Sequence, residues 1–318
     1  MALPATMTSH PAVIWRFTDG KAGHEIQSRG LLAALSRHIA CLVFEIPPLP
    51  LSHALGYLLR RRFPPGVDLP DPSLLVGAGH ATHLTMLAAR HARGGKIILL
   101  MQPTLPCRWF DLCLIPDHDD PPSSLKNVIV TCGPLNDLSR AQAADPNQGL
   151  ILIGGTSRHF HWNDAEILEQ ISKVCATDIR WTMTDSRRTP PTTRDSLSRL
   201  NRENVAYVSS VGTGPDWLRM KLQECGTVWV TPDSMAMIHE ALTAGAAVGL
   251  FRLKPRGSNK ISRAIGKLAA ERLVTLYDDW LAGRSLVKAG EPLDEAERCA
   301  RLIIQRFGLG ATNSINSA

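Results

Sequence analysis

The chain of 318 residues has no run of about 18 consecutive apolar residues, so no segment reads as a bilayer-spanning helix. Its opening residues lack the basic-then-apolar layout of a signal peptide, and the first arginine, Arg16, already lies in a strand-like run. A cytoplasmic location is therefore expected. The seven cysteines (Cys41, Cys107, Cys113, Cys132, Cys175, Cys225 and Cys299) are odd in number and form no C-x-x-C pair. Most sit in or beside apolar runs, the pattern of reduced, buried thiols rather than of a disulfide framework or a structural zinc. A G-x-G-x-x-G fingerprint is also missing, because Gly77-Ala78-Gly79 is followed by Thr82 where the third glycine would stand. No segment matches G-x-x-x-x-G-K-[ST]. These absences argue against nicotinamide redox chemistry and P-loop nucleotide hydrolysis. There is no short-period repeat and no low-complexity tract.

What is present is globular. Hydrophobic residues make up 44% and charged residues 20%, which excludes wholesale disorder. At roughly 150 residues per domain the length suggests two domains. Lys and Arg total 35 against 29 Asp and Glu, a formal charge of +6 with a pI near 9.1. Such a balance suits an anionic partner: nucleic acid, a phosphorylated small molecule or an acidic membrane surface. No nucleic-acid-binding motif accompanies the charge, so nucleic acid is not expected.

Short apolar runs alternate with segments of helical period, the pattern of an α/β fold with mostly parallel sheets. Strands are expected at Ala12 to Phe17, Leu42 to Ile46, Leu74 to Val76, Lys96 to Met101, Leu112 to Ile115 and Val128 to Val130. The small, polar stretch Ser139 to Gln148 marks a boundary, dividing the chain into residues 1–145 and 146–318. A second series follows, with strands at Leu150 to Ile153, Ile179 to Met183, Val205 to Val208, Thr227 to Val230 and Ala247 to Phe251. Helices are expected at Asp164 to Val174, Ser234 to Thr243 and Glu291 to Phe307, the last packing back on the first domain. The expected architecture is two Rossmann-like domains facing a cleft.

In open α/β sheets ligands bind beyond the carboxyl ends of the strands. Three glycine-bearing turns fall there: Asp19 to Gly23, Gly77 to Gly79, and Gly154-Gly155. Glycine admits a ligand close to the backbone, and the amides of a following helix favour an anion. A phosphate or nucleotide ligand is the expectation.

The sharpest segment is Thr231-Pro232-Asp233-Ser234 and the helix after it. Asp233 or Ser234 suits an N-cap, and the free amides behind it can hold a diphosphate. Glu240, nearly two turns on, can accept two hydrogen bonds from a ribose diol. Ser186-Arg187-Arg188 follows a strand and can form a fork for phosphate oxygens. Arg252, Lys254, Arg256 and Lys260 add charge on the same edge, enough to stabilise an anionic leaving group without a metal.

The chain resembles the mitochondrial-fission Elm-type family, whose bacterial members are described as glycosyltransferases. The resemblance rests on the run from Thr18 to Ser28, Gly154-Gly155-Thr156-Ser157, the run from Thr184 to Pro190, and the run from Thr231 to Ala241. That family is similar in turn to GT-B glycosyltransferases, among them the peptidoglycan lipid-intermediate N-acetylglucosaminyltransferase. The resemblance implies a nucleoside-diphosphate sugar as donor substrate and no metal or cofactor. It places the donor ribose on Glu240 and the diphosphate at Ser234, and the donor set expected with them is Gly154, Gly155, Ser186, Arg187, Arg188, Asp233, Met235 and Lys260. The acceptor side falls on Gly20, Lys21, Gly23, Gln27, Gly77 and Gly79. One departure is that the arginine usual near His80-Ala81 is missing here. Two other readings stand beside it: a non-catalytic adaptor of the fission type, and a sugar-nucleotide epimerase on the same fold.

Sugar transfer needs a base for the acceptor hydroxyl, and Asp19 and His24 share one turn. His80 and His83 have ligand-like spacing but no carboxylate partner. Asp117-His118-Asp119-Asp120 reads as a polar loop, so no metal is expected. The rings of His159-Phe160-His161-Trp162 either stack on a base or sugar or pack on the sheet. Pro47 to Phe63 joins an apolar stretch to Arg60, Arg61 and Arg62, a segment able to rest on an anionic membrane at its inner face and meet a lipid-linked acceptor.

Overall fold

The structure, a computed structural model, describes residues 11–310 except 123, 201, 215, 291 and 292. They form two units: the residues up to Asp137 with those from Glu295 onward, and Leu138–Asp294.

In the first unit β1 (Ala12–Phe17), α1 (Ala22–Ser36), β2 (Cys41–Ile46), α2 (Leu51–Arg60), β3 (Leu74–Ala78), α3 (His83–Arg93), β4 (Lys96–Leu100), β5 (Leu112–Pro116) and β6 (Val128–Thr131) follow in order. The strands form one sheet in the order β2-β1-β3-β4-β5-β6, and every pairing is parallel. A parallel sheet is covered on both faces, so its central strands are continuously apolar. Successive residues point to opposite faces: Ile14, Leu74 and Ile98 join one core with Leu31 and Leu35 of α1. Trp15, Leu75 and Ile97 join the other with Met86 of α3 and Phe63.

The second unit runs β7 (Asp145–Leu152), α4 (Asp164–Val174), β8 (Arg180–Thr184), α5 (Pro191–Ser198), β9 (Val205–Val208), α6 (Trp217–Glu224), β10 (Cys225–Val230), α7 (Met235–Ala244), β11 (Ala247–Leu250), α8 (Lys260–Ala270), β12 (Thr275–Leu276) and α9 (Tyr277–Leu281). Its sheet, again all parallel, has the order β12-β11-β10-β7-β8-β9. Within each sheet all the strands therefore end on one edge, and the loops that follow them gather there.

Two boundaries differ from the sequence reading. The stretch expected to mark the domain boundary, Ser139 to Gln148, contains the start of β7, where Asp145 pairs with Cys225, and the second unit begins at Leu138. The register then shifts between Cys225 and Thr227, and this irregularity accommodates Pro146, whose nitrogen cannot join a regular ladder. The span 146–318 also runs too far. From Glu295 the chain forms α10 (Glu295–Phe307), whose Cys299, Ala300 and Ile303 complete the core around Leu31 and Leu35 of the first unit. Glu297 on this helix anchors it, accepting from Arg37 Nη2 at 2.8 Å and meeting His38 Nε2 at 2.6 Å. Glu291, expected to open the helix, lies outside the described residues.

Candidate functional site

On the first unit the turn between β1 and α1 builds a carboxylate–imidazole pair. Asp19 Oδ2 lies 2.9 Å from His24 Nδ1, and Asp19 Oδ1 accepts from the Lys21 amide at 3.2 Å. Burial works to raise the Asp19 pKa. The hydrogen bonds from His24 and the Lys21 amide, with the charges of His24 and Lys21, outweigh it and hold Asp19 below the ordinary carboxylate value. An ionised Asp19 draws the imidazole proton to Nδ1 and leaves Nε2 as a proton acceptor. The two candidates for one role thus form one hydrogen-bonded pair on one turn.

Gly79, after β3, lies against this pair. It sits at φ +82°, and a Cβ there would come within 2.3 Å of His24 Cε1 and 3.2 Å of Asp19 Oδ2. Its lack of a side chain makes room for the imidazole. Gly77 answers to packing instead, since a Cβ would meet Met86 Sδ at 2.6 Å. Gln27 is buried and donates to the Gly23 carbonyl at 3.3 Å, so it braces the turn. Lys21 Nζ lies 3.8 Å from Asp19 Oδ2 with an exposed side chain. Gly20 and Gly23 have open space where a Cβ would stand.

Sequence reasoning missed the layer beneath. Buried Arg16 on β1 pairs with Glu25 at 2.5 Å and with Glu45, and donates to Ser28 Oγ at 3.0 Å. Glu25 Oε1 then accepts from the Gly20 amide at 3.2 Å, which ties the turn to the sheet. A charged residue inside an apolar strand was the available signal.

On the second unit α7 starts at the end of β10. Ser234 is the N-cap, yet its side chain makes no cap hydrogen bond. The first amides of a helix have no intrahelical partner, and the dipole there is positive. Glu240 lies half-buried on the same helix.

Asp233 does not cap the helix. Its side chain is wholly buried, accepts from the Gly155 amide at 3.1 Å, and pairs with Arg188 Nη1 at 2.8 Å. Burial pushes its carboxyl pKa up, against the pull of Arg188, Thr231 and the Gly155 amide. The glycine pair fits the protein's own groups. A Cβ on Gly154 would meet Asp233 Oδ1 at 2.3 Å, and one on Gly155 would meet the Arg188 carbonyl oxygen at 2.0 Å. Ser186 Oγ donates to the Gly154 carbonyl at 2.8 Å, locking the two loops together. The expected fork is thus split: both arginines are exposed, but Arg188 is held by Asp233.

Asp185, overlooked as a functional residue, is a second buried anchor. It pairs with Arg194 Nε at 2.7 Å and accepts from the Ser210 amide at 2.6 Å, fixing the loop after β9. Lys260 opens α8, capped by Asn259. Asn259 Nδ2 donates to the His159 carbonyl at 3.0 Å, and the Arg256 amide donates to that same oxygen at 2.8 Å. The loops after β7 and β11 are thereby joined. His159 has a lowered pKa from burial and from the charges of Arg158 and Lys260, so positive groups crowd this edge.

The remaining candidates pack. His83 is buried against Phe110, and burial, with the charge of His80, lowers its pKa to about 4. Phe160 is buried and bridges to Pro255, and Trp162 Nε1 donates to Asp164 at 2.8 Å. Among the described residues no group of three His, Cys, Asp or Glu is placed to hold a metal.

Comparison with solved structures shows the fold. Two parallel α/β units of this kind are the architecture of GT-B glycosyltransferases and sugar-nucleotide epimerases. A Listeria monocytogenes protein provisionally described as a UDP-N-acetylglucosamine 2-epimerase matches with TM-score 0.60 at 11% identity, over 94% of this chain and 97% of that one. The calicheamicin glycosyltransferase CalG4 matches with TM-score 0.52 at 11% identity, over 96% and 100%. The Neisseria meningitidis UDP-GlcNAc 2-epimerase bound to UDP-GlcNAc matches with TM-score 0.50 at 12% identity, over 93% and 99%. The chain belongs to the family described as Mitochondrial fission ELM1, which it matches over residues 22–307. It is also 22% identical to the uncharacterized protein RP120 of Rickettsia prowazekii, over 95% of this chain and 99% of that one.

Proposed function

We propose that the protein is a glycosyltransferase whose donor is a nucleoside-diphosphate sugar. The observation that carries this is the amino end of α7, a helix of ten residues whose N-cap side chain makes no cap hydrogen bond, with Glu240 on the same helix. A diphosphate on those amides meets the positive end of the helix dipole, and Glu240 is of the right type to accept from a ribose diol. Arg187 and Lys260 supply cations for the leaving group, while Arg188 serves by holding the loop with Asp233. A fold similar to that of an enzyme bound to UDP-GlcNAc supports the ligand class.

On the first unit His24 Nε2 takes the proton of the acceptor hydroxyl, and Asp19 stabilises the imidazolium so formed. The acceptor oxygen bonds to the anomeric carbon as the bond from that carbon to the diphosphate oxygen breaks, and the nucleoside diphosphate leaves as an anion. The protein would act in the cytoplasm.

Titration calorimetry with UDP, GDP and their sugars tests this. Binding should weaken about tenfold in Glu240→Ala, the loss of one or two charge-assisted hydrogen bonds. If no nucleotide binds the native chain more tightly than Glu240→Ala, the reading fails. Epimerisation is the second reading, favoured by the likeness to two structures described as 2-epimerases. NMR of the recovered nucleotide sugar separates the two, since an epimerase returns the C2 epimer with no acceptor present.

A further inference from the structure

Helix α2 buries only Ala54 of its ten residues. Its leucines divide into two sets. Leu58, with Tyr57, packs against the core that holds Phe63 and Met86. Leu51, Leu55 and Leu59 project from the surface, 65%, 42% and 84% exposed. Their i, i+4, i+8 spacing puts them in one stripe covering about 80° of the helix circumference. Arg60, Arg61 and Arg62 follow at once, all exposed, and residues 47–67 contain no Asp or Glu. Arg61 Nε donates to His91 Nε2 at 3.0 Å. Neither Arg60 nor Arg62 forms an ion pair among the described residues.

We infer that this face seats the protein on an anionic lipid bilayer, with Leu51, Leu55 and Leu59 entering the acyl boundary and the arginines meeting headgroup phosphates. Exposed leucines on an ordered helix lose nothing by entering lipid, and each basic residue at an anionic surface adds to the attraction. A soluble polyanion would use the arginines and leave the leucines in water. A second protein copy fits less well. A helix of ten residues is about 15 Å long and about 10 Å wide, a footprint near 150 Å², against roughly 800 Å² per partner in a stable interface. Long arginine stems also suit a boundary where the chain is apolar and the head is wet.

The inference stands apart from the nucleotide reading, because none of these residues belongs to the proposed donor or acceptor machinery. The test is sedimentation of the full chain with phosphatidylcholine vesicles, with and without phosphatidylglycerol. The native chain should bind the anionic vesicles and release them as salt rises. Leu55→Ser with Leu59→Ser, and separately Arg60→Gln with Arg62→Gln, should each lower vesicle affinity about tenfold or more. All these side chains are exposed, so the melting temperature should hold, and nucleotide titration of the same variants should be unchanged. The inference is overturned if anionic vesicles do not bind the native chain, or if the leucine pair can be replaced without loss. It is equally overturned if sedimentation velocity shows a dimer that the leucine variants dissolve, which would make a second copy the occupant.

Discussion

A Cβ placed on Gly154 would lie 2.3 Å from both carboxylate oxygens of Asp233. The glycine exists to let that carboxylate in. Gly154→Ala should therefore destabilise the second unit by roughly 2–4 kcal/mol, because the displaced carboxylate leaves its partners at Gly155 and Arg188. The combination with Asp233→Ala should cost less than the sum of the two single changes, since the clash disappears with the carboxylate. Urea unfolding of the three variants measures it, and strict additivity would refute the account.

Arg188→Ala leaves a buried carboxylate with its counter-ion removed. Burial already raises the Asp233 pKa, so the folded state holds that proton more tightly than the unfolded chain does. Stability linked to this group is therefore full below the ordinary carboxylate pKa and is lost as pH rises through the folded value. In Arg188→Ala the folded value should rise further, and the urea midpoint should fall more steeply above pH 4 than in the native chain. Adding Asp233→Asn should flatten that dependence, and a midpoint that does not respond to pH would contradict it.

The Asp19–His24 pair should behave as one catalytic unit. Asp19→Asn or His24→Gln should slow release of nucleoside diphosphate from the donor sugar by about 10²–10⁴-fold. The double variant should be little worse than either single one, since residues that act together are not additive. Calorimetric affinity for the donor nucleotide should stay unchanged in all three. A loss of nucleotide binding would place the pair on the donor side instead.

Glu297 should make the seating of α10 acid-sensitive. Burial alone would raise its pKa, but hydrogen bonds from Arg37, His38 and Arg301 pull it down to about 2. Its contribution is present above the unfolded value near 4.5 and is lost as pH falls from there toward 2. Glu297→Gln should cost roughly 1–2 kcal/mol at neutral pH after allowance for solvent screening, and about nothing at pH 2. Chemical denaturation at the two pH values, or hydrogen exchange in α10, reads the difference.

Much of the fold was legible because parallel sheets write themselves as apolar runs. The strand at Ala12–Phe17, the helix at Asp164–Val174 and the strand at Val205–Val208 lie where the sequence puts them. The start of β7 was not legible, since Asp145 to Gln148 carry the polar and proline residues of a turn and are strand only because β10 pairs with them. Helix α8 was overlooked because its segment was read for its charges, and its Asn259 cap went unread.

By itself the sequence determined the alternation of strands and helices, the glycine turns after the strands, and the local pair of Asp19 and His24, five residues apart on one turn. Short-range order fixes such features, because each depends on neighbours in the chain. Tertiary structure decided which polar residues are taken up by the protein's own groups. Asp233 and Gly155 are 78 residues apart, and Arg188 reaches the same carboxylate from a third loop. Only the packing of β7, β8 and β10 side by side turns Asp233 inward and occupies Arg188.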